Sequence, residues 1–341
     1  MRVLLTPHIE HYTIGLSNEL SKLVKVTLLT TKRFNMQSGQ IVIPDLPIPH
    51  FKGLVRKVVF KISASMYDVI HVNTSQDGLF AGNFDKLVVT EHGWPDPRMV
   101  EEPERNYYFK ELRALLQLHD MGVPLVTVSN YSASMLRELY GVKVRKVIYH
   151  GLLRDFISEP RDAPSEHRIL YVSRLVSVKE PFVFLKALSR VRDKLEFKAI
   201  IRGDGPLYCA IKEFLRRNGL ESRVRVLGKV PFSKLPNLSR SCTIFVHTCS
   251  REAFGMAVLE AMGCGLPVIV PEKGGAFEVA AGAALTFKPG DHEDLAEKLL
   301  SLCSDANLYE ELSRKSIERA KGFTWRRAAI EYLKLYSSVM M

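Results

Sequence analysis

The sequence predicts an α/β protein with two domains, each a doubly wound parallel sheet. Three observations indicate this class. Apolar segments of strand length alternate with segments of helical periodicity, as they do where helices cross over between parallel strands. The 341 residues suffice for two domains of ordinary size. A polar stretch over residues 154–167 contains Pro160 and Pro164, and it has the composition of a linker between the halves.

The first domain is predicted over residues 1–155. Its opening residues read as a strand at 2–6, a helix at 14–23 and a strand at 24–30, which is the start of a βαβ unit. The other strands are predicted at 68–72, 86–90, 124–129 and 146–149, with a helix at 104–118 and another beginning at Ser129.

The second domain is predicted over residues 166–322, and residues 323–341 form a last helix. The same alternation continues through this half. The strands are predicted at 168–173, 196–201, 223–227, 242–247, 266–270 and 283–287, and the helices near 181–193, 207–218, 233–240 and 291–304.

Composition narrows the class of protein. Apolar residues make up 46% and charged residues 25% of the chain, which is typical of a soluble globular protein. No apolar run approaches the roughly 18 residues of a membrane span. The N-terminus is broken too early for a secretion signal, so we expect a cytoplasmic protein. The five cysteines include no Cys-x-x-Cys pair, which favours reduced thiols over a zinc site.

The net charge of +11 is compatible with anionic donors, anionic lipid surfaces and nucleic acid. The sequence shows no helix-turn-helix, RNP or zinc-finger signature, and the charge is spread over both halves. We therefore expect no nucleic-acid partner.

Residues 51–62 have the pattern of a basic amphipathic helix. Such a helix can lie on an anionic membrane, here at the inner face. The commoner arrangement is a helix that packs its apolar side on the sheet and leaves its lysines in water. The sequence leaves both readings open.

The most informative stretch, residues 250–270, reads as a loop, a helix, a glycine stop and a buried strand. Glu252 and Glu260 lie eight residues apart, which is roughly 12 Å if one helix contains both; the alternative, which Gly255 suggests, is that Glu252 lies in the loop before the helix, where this separation does not apply. Glycosidase carboxylates that act on one bond lie about 5–9.5 Å apart. We therefore expect the two glutamates to hold different parts of one elongated ligand. The backbone N–H groups of residues 254–256, at the helix start, form an anion site.

Other motifs follow predicted strands. His92 lies just past the strand 86–90, where open α/β sheets bind ligands. Arg174 and Lys179 follow the first strand of the second domain. A glycine turn at residues 202–206 follows the next strand, and Leu227 to Val230 follow the one after.

In order and spacing, these motifs resemble glycosyltransferase family 4, the retaining GT-B enzymes that use nucleotide-sugar donors. The resemblance covers residues 168–330 strongly and the first half weakly. It implies two Rossmann-like domains that face each other across a cleft, the first binding the acceptor and the second a UDP- or GDP-sugar. It also implies that the last helix crosses back onto the first domain.

The resemblance assigns a role to each candidate residue. Arg174 and Lys179 stabilise the departing diphosphate together with the amides of Phe254, Gly255 and Met256. Glu260 accepts hydrogen bonds from the ribose, and Glu252 lies at the sugar hydroxyls. Gly228 and Val230 edge the base pocket, and His92 contacts the sugar. No Asp-x-Asp pair occurs, so we expect neither a metal nor another cofactor.

The sequence departs from the family pattern at several places. The loop after the first strand lacks the usual glycine pair and has only Gly15. Ser173 and Glu180 replace glycines, and His150 replaces an asparagine. Two alternatives to a transferase therefore stay open: a catalytically silent nucleotide-binding protein of the same fold, and a GT-B phosphorylase or epimerase. The acceptor and the donor sugar are not predicted.

Overall fold

The computed structural model describes residues 1–31, 33–34, 38–42, 65–100, 102 and 104–340, together with 58, 60 and 62. The chain divides into two compact units. The first unit consists of residues 1–151 and 324–341, and the second of residues 152–323. Each unit is built around one sheet of parallel strands, so the predicted fold class is confirmed.

The first unit contains a seven-stranded sheet with the order β3-β2-β1-β4-β5-β6-β7. The strand order reverses between β1 and β4, which is the switch point of a doubly wound sheet. The strands are β1 Arg2–Leu5, β2 Lys25–Thr30, β3 Gly39–Val42, β4 Val69–Val72, β5 Leu87–Glu91, β6 Leu125–Thr127 and β7 Lys146–Val147, and the first helices are α1 Glu10–Ser21, α2 Ser75–Ala81, α3 Glu104–Asp120 and α4 Asn130–Tyr140.

The second unit contains a six-stranded sheet with the order β10-β9-β8-β11-β12-β13, which reverses between β8 and β11. Its strands are β8 His167–Val172, β9 Phe197–Arg202, β10 Val224–Gly228, β11 Ile244–Val246, β12 Val268–Pro271 and β13 Ala284–Phe287. Its helices are α5 Pro181–Val191, α6 Tyr208–Arg217, α7 Leu235–Arg240, α8 Met256–Gly263, α9 Gly275–Ala280, α10 His292–Ser304 and α11 Ala306–Lys321.

One apolar cluster fixes the strand positions in the second unit. It takes buried residues from every strand of the sheet and from helices α5, α6, α10 and α11. Strands covered on both faces read as continuous apolar runs, which is why residues 266–270 were recognisable from the sequence. The cluster holds β8 and β11 side by side, with Ile244 opposite Ile169, and thereby places the loops that follow them next to each other.

The last helix, α12 Trp325–Val339, belongs to the first unit and packs against α1. The contact is close because α1 has a glycine at the crossing: a Cβ atom on Gly15 would overlap the indole of Trp325. The buried face of α12 includes Trp325, Tyr332 and Tyr336.

A buried polar network joins α12 to the sheet. His71, on β4, is hydrogen-bonded through Nδ1 to Tyr336 at 2.7 Å and through Nε2 to Thr90 at 2.8 Å. Thr90 is in turn hydrogen-bonded to Tyr332 at 3.0 Å. Burial lowers the pKa of His71 to about 3, so the ring is neutral and one of its nitrogens donates while the other accepts.

No helix of the described residues is both long and apolar enough to cross a membrane. The predicted basic amphipathic helix at 51–62 lies outside the described residues, except for Val58, Phe60 and Ile62.

Removing the hydroxyl of Tyr336 tests the network. Tyr336→Phe leaves a buried imidazole nitrogen of His71 without its partner, so we expect a loss of about 1–3 kcal/mol in the free energy of unfolding. Urea denaturation measures it. Arg326→Ala, at an exposed position of the same helix, is the control and should change this free energy by less than about 0.5 kcal/mol. Equal stability of Tyr336→Phe and wild type would contradict the structure.

Candidate functional site

The site in the second unit is organised around an ion pair between Lys179 and Glu252. Lys179 lies in the loop after β8, and Glu252 lies in the loop after β11. These loops meet because parallel neighbouring strands end at the same edge of the sheet. The Lys179 Nζ lies 2.7 Å from Glu252 Oε2, and only 19% and 20% of the two side chains are exposed.

Both members of the pair are charged at neutral pH. Burial by itself raises the pKa of Glu252. The charge of Lys179 and the neighbouring His247 outweigh this effect and bring the pKa down to about 2. Burial lowers the pKa of Lys179, but the Glu252 carboxylate outweighs it and holds this pKa above its ordinary value. The pKa of Glu252 falls and that of Lys179 rises, so both shifts favour the charged form, as expected for an ion pair shielded from water.

Hydrogen bonds fix the backbone on both sides of the pair. The carbonyl of Lys179 accepts hydrogen bonds from the hydroxyls of Tyr171 and Thr248, each at 2.9 Å. The carbonyl of Glu252 accepts one from the backbone N–H of Gly275 at 2.6 Å. These hydrogen bonds within the protein hold the backbone of both loops and thereby position the ion pair.

Two residues that the sequence reasoning missed lie beside Glu252. His247 Nε2 is 3.6 Å from Glu252 Oε2, and the Cys249 thiol donates to the Val178 carbonyl at 3.1 Å. Burial lowers the pKa of His247 to about 4 and raises that of Cys249 to about 12. Their position directly after strand β11 was the available signal.

One ligand atom each of His247, Cys249 and Glu252 lie within 4.8 Å of one another. Nitrogen, sulfur and carboxylate oxygen are ligands that zinc accepts. In this structure the Glu252 oxygen already binds Lys179, whose positive charge opposes a cation at that point. The expected absence of a metal stays a prediction.

Arg174 and Glu180 flank Lys179. Arg174 is exposed, and its charge acts on Lys179 by lowering that residue's pKa. Glu180 has a left-handed backbone with φ +52°, a conformation that glycine adopts without strain. Its carboxylate accepts a hydrogen bond from Ser250 at 2.9 Å, which ties the two loops together.

Helix α8 begins beside this ion pair. Phe254 is buried, and Gly255 caps the helix with φ +99°. A Cβ atom on Gly255 would also meet Ala276 of α9, so the turn requires glycine here. The first backbone N–H groups of α8, from Met256 onward, have no partner within the helix, and they retain the capacity to bind an anion.

Glu260 lies further along α8 and is buried. Burial raises its pKa to about 8, and the charge of Arg202 opposes this shift. In the sequence, Arg202 stands out only as part of a glycine turn. Its side chain donates to the Val230 carbonyl at 2.8 Å. The Gly228 carbonyl accepts from the backbone N–H of Gly203 at 3.0 Å. Arg202 thereby links the predicted ribose contact to the predicted edge of the base pocket.

His92 belongs to the first unit and follows β5 directly. Its Nε2 is hydrogen-bonded to Asn73 at 2.9 Å and its Nδ1 to His150 at 3.2 Å. The ring of His8 stacks on it, with centroids 3.6 Å apart. Both ring nitrogens of His92 thus have partners in this unit, and its predicted contact with a sugar stays a prediction.

Two family models match the chain in adjoining segments. The model for Glycosyltransferase Family 4 matches residues 9–152, and the model for Glycosyl transferases group 1 matches residues 154–320. The chain belongs to glycosyltransferase family 4. The family resemblance drawn from the motifs of the second domain is therefore confirmed.

Curated relatives of this family 4 chain are distant. An uncharacterized glycosyltransferase of Methanocaldococcus jannaschii is 29% identical over 218 residues, which are 63% of this chain and 59% of the relative. A D-inositol 3-phosphate glycosyltransferase of Paenarthrobacter aurescens is 29% identical over 262 residues, or 74% of this chain and 64% of the relative. The chain thus spans less than two thirds of these relatives.

Solved structures show the same fold over the full length. Sucrose-phosphate synthase from Thermosynechococcus elongatus matches with a TM-score of 0.82 and 19% identity, covering 99% of this chain and 98% of that one. Anabaena HepE, in complex with UDP and glucose, matches with a TM-score of 0.79 and 20% identity, covering 99% and 100%. These neighbours are GT-B glycosyltransferases, so the fold of this family 4 chain is GT-B.

A double-mutant cycle tests the ion pair. Glu252→Gln and Lys179→Met each leave a buried charge without its partner, so we expect each to lower the free energy of unfolding by about 2–3 kcal/mol. The double variant should recover much of that loss because it buries no charge. Urea denaturation at pH 7 measures all three. Arg216→Ala, at the exposed Glu213–Arg216 pair, is the control and should leave stability unchanged.

The same comparison has a defined pH dependence. Because folding lowers the pKa of Glu252 from 4.5 to about 2, its contribution to stability is complete above pH 4.5 and is lost as the pH falls through 2. The difference in the free energy of unfolding between wild type and Glu252→Gln should therefore be constant above pH 4.5 and become smaller below it.

In the double-mutant cycle, a loss of stability in the double variant equal to the sum of the two single losses would contradict a coupled pair.

Proposed function

We propose that this protein is a glycosyltransferase that moves a sugar from a UDP- or GDP-sugar to a hydroxyl group of a lipid, glycan or small molecule, with retention of configuration and without a metal. The observation that carries the proposal is the buried Lys179–Glu252 ion pair beside the start of α8. Family membership supports it, as does the UDP bound to the structural neighbour HepE.

The charges around this pair suit a departing diphosphate. A group that leaves with negative charge needs fixed cations and backbone donors where the charge develops. Lys179 supplies a point charge, and Arg174 a guanidinium that can bind two oxygens. The amides of Phe254, Gly255 and Met256 add backbone donors at the positive end of the helix dipole. Because Lys179 is already held by Glu252, it needs little reorganisation on binding.

The remaining residues suit the sugar and the nucleoside. Glu252 binds Lys179 through one oxygen and has a second carboxylate oxygen with which to accept from a sugar hydroxyl. Glu260 is protonated at neutral pH because its pKa is about 8, and ribose hydroxyls that donate to it would favour the carboxylate. Gly228 and Val230 would border the base, and His92 would face the sugar.

A nucleotide panel tests the proposal. We expect one nucleoside diphosphate among UDP, GDP, ADP and TDP to raise the melting temperature with EDTA present, since a ligand at a hundredfold excess over its Kd adds about 2.7 kcal/mol of stability. Differential scanning fluorimetry measures the shift. Arg174→Ala and Glu260→Ala should abolish it, whereas the exposed-pair variant Arg216→Ala should retain it.

Other outcomes of the panel decide against parts of the proposal. A shift only when a divalent cation replaces EDTA would overturn metal independence. Binding without release of the nucleoside diphosphate from any sugar nucleotide would favour a silent binding protein. Consumption of inorganic phosphate would favour a phosphorylase. No shift with any nucleotide would remove the support for a nucleotide-sugar donor.

Membrane contact through residues 51–62 stays a prediction from the sequence. Wild type and a variant with Lys52, Arg56, Lys57 and Lys61 changed to Glu are floated with anionic liposomes. If this segment binds the membrane, the wild type floats and the variant does not, because four attractive charges become repulsive. Neutral liposomes are the control. Equal flotation of both proteins would rule out this contact.

A further inference from the structure

Three side chains that can bind a metal lie together in the loop after β11. His247, Cys249 and Glu252 each offer one ligand atom, and these atoms lie within 4.8 Å of one another. The backbone of this loop is held at both ends. The N–H of His247 donates to the Ile269 carbonyl at 2.9 Å, and the carbonyl of Glu252 accepts from Gly275 at 2.6 Å. All three side chains therefore project from one fixed segment of the second unit.

His247 has no hydrogen bond that accounts for its burial. Only 4% of its side chain is exposed, and both ring nitrogens are buried without a hydrogen-bond partner among the described residues. Its Nε2 lies 3.6 Å from Glu252 Oε2, which is too far for a hydrogen bond. A buried polar group without a partner costs stability, and a bound ion is one way in which such a group is satisfied.

The distances suit zinc. With Zn–N and Zn–O bonds of about 2.0–2.2 Å and Zn–S bonds of about 2.3 Å, the ligands of a tetrahedral ion lie roughly 3.3–3.6 Å apart. The 3.6 Å between His247 and Glu252 already has this value. Since no pair is more than 4.8 Å apart, none has to close by more than about 1.5 Å. Thiolate and imidazole also favour zinc over magnesium and calcium, which prefer oxygen ligands.

Lys179 is the group that a cation has to displace. Its Nζ lies 2.7 Å from the Glu252 oxygen, and 19% of its side chain is exposed. The hydroxyls of Tyr171 and Thr248 hold the backbone carbonyl of Lys179, so the side chain can turn towards water while the loop stays in place. The charges of Zn²⁺, a Cys249 thiolate and the Glu252 carboxylate sum to zero. The exchange therefore leaves no unbalanced charge in the buried site.

We propose that Zn²⁺, or another thiophilic divalent cation, binds His247, Cys249 and Glu252 and displaces Lys179 from Glu252. In this step the Cys249 S–H bond breaks and its proton passes to solvent, a zinc–sulfur bond forms, and Lys179 keeps its proton. No oxidation state changes. Because the proposed function needs Lys179 at the diphosphate and Glu252 at the sugar, the cation inhibits and does not catalyse. This consequence rests on the proposed function, whereas the metal site itself does not.

Titration with Co²⁺ tests the site without any nucleotide. Co²⁺ occupies tetrahedral zinc sites, and a thiolate bound to it gives a charge-transfer band in the near ultraviolet. We expect the whole protein, freed of metal with EDTA and then of EDTA, to give this band. Zn²⁺ should remove the band and Mg²⁺ should not. Cys249→Ser should abolish it, whereas Cys209→Ser, at an exposed cysteine, is the control and should retain it.

Competition with a zinc-binding dye measures the affinities. Changes to residues that only support a metal ligand already cost about 10–100-fold in affinity, so Cys249→Ser and His247→Leu should each lose at least about 100-fold. Lys179→Met should bind Zn²⁺ at least about 10-fold more tightly than the wild type, because no hydrogen bond between charged groups has to be broken. Urea denaturation in EDTA shows that each variant is folded.

Two results would overturn the metal site. One is a cobalt band that is absent from the wild type or that survives in Cys249→Ser. The other is zinc binding by Lys179→Met but not by the wild type, because the cation would then be unable to displace the lysine.

Inhibition is tested with the nucleoside diphosphate that binds in EDTA. Zn²⁺ should weaken its binding to the wild type and not to Cys249→Ser, which also controls for zinc held by the nucleotide itself. Equal effects on both proteins would overturn the inhibition. If no nucleotide binds in EDTA, the proposed function fails, and the cobalt band still decides the metal site.

Discussion

Burial of the Lys179–Glu252 pair is the constraint on which the site of the second unit depends. Taking each charge out of water costs several kcal/mol, and only close pairing offsets that cost. The pairing in turn requires β8 and β11 to be neighbours, since each charged residue follows one of these strands. The hydroxyls of Tyr171 and Thr248 hold the Lys179 backbone. The apolar core, by holding β8 and β11 side by side, therefore brings the charges of Lys179 and Glu252 together at the edge of the sheet.

The first unit uses burial to the opposite effect. His8, His92 and His150 lie next to one another, so burial lowers their pKa values and leaves them uncharged. In the second unit, Lys179 and Glu252 meet opposite charges and stay ionised. The partner, and not the depth of burial, decides the charge of each group. As a result, the Lys179–Glu252 site of the second unit holds two fixed charges, whereas the histidines His8, His92 and His150 of the first unit are neutral donors and acceptors.

The sequence predicted those features that depend on neighbouring residues. Buried strands such as β12 were recognisable as apolar runs, and the glycine at residue 255 marked the start of α8. Helix α11 was missed although it is 16 residues long, and the short helices α2 and α9 were missed as well. The pairing of Lys179 with Glu252, 73 positions apart, and the bonds of His92 with Asn73 and His150 were not predictable. They depend on strand order, which periodicity does not encode.

The local geometry at Glu180 accounts for one departure from the family pattern. Glu180 occupies a position where a glycine was expected, and the chain keeps the left-handed backbone there at a cost of about 1–2 kcal/mol. The hydrogen bond from Ser250 to its carboxylate offsets part of that cost. The turn thus places Lys179 Nζ 2.7 Å from Glu252 Oε2 although a glutamate stands where the family has a glycine. Glu180 therefore gives little support to a silent protein, because the geometry that a glycine would provide is preserved by other means.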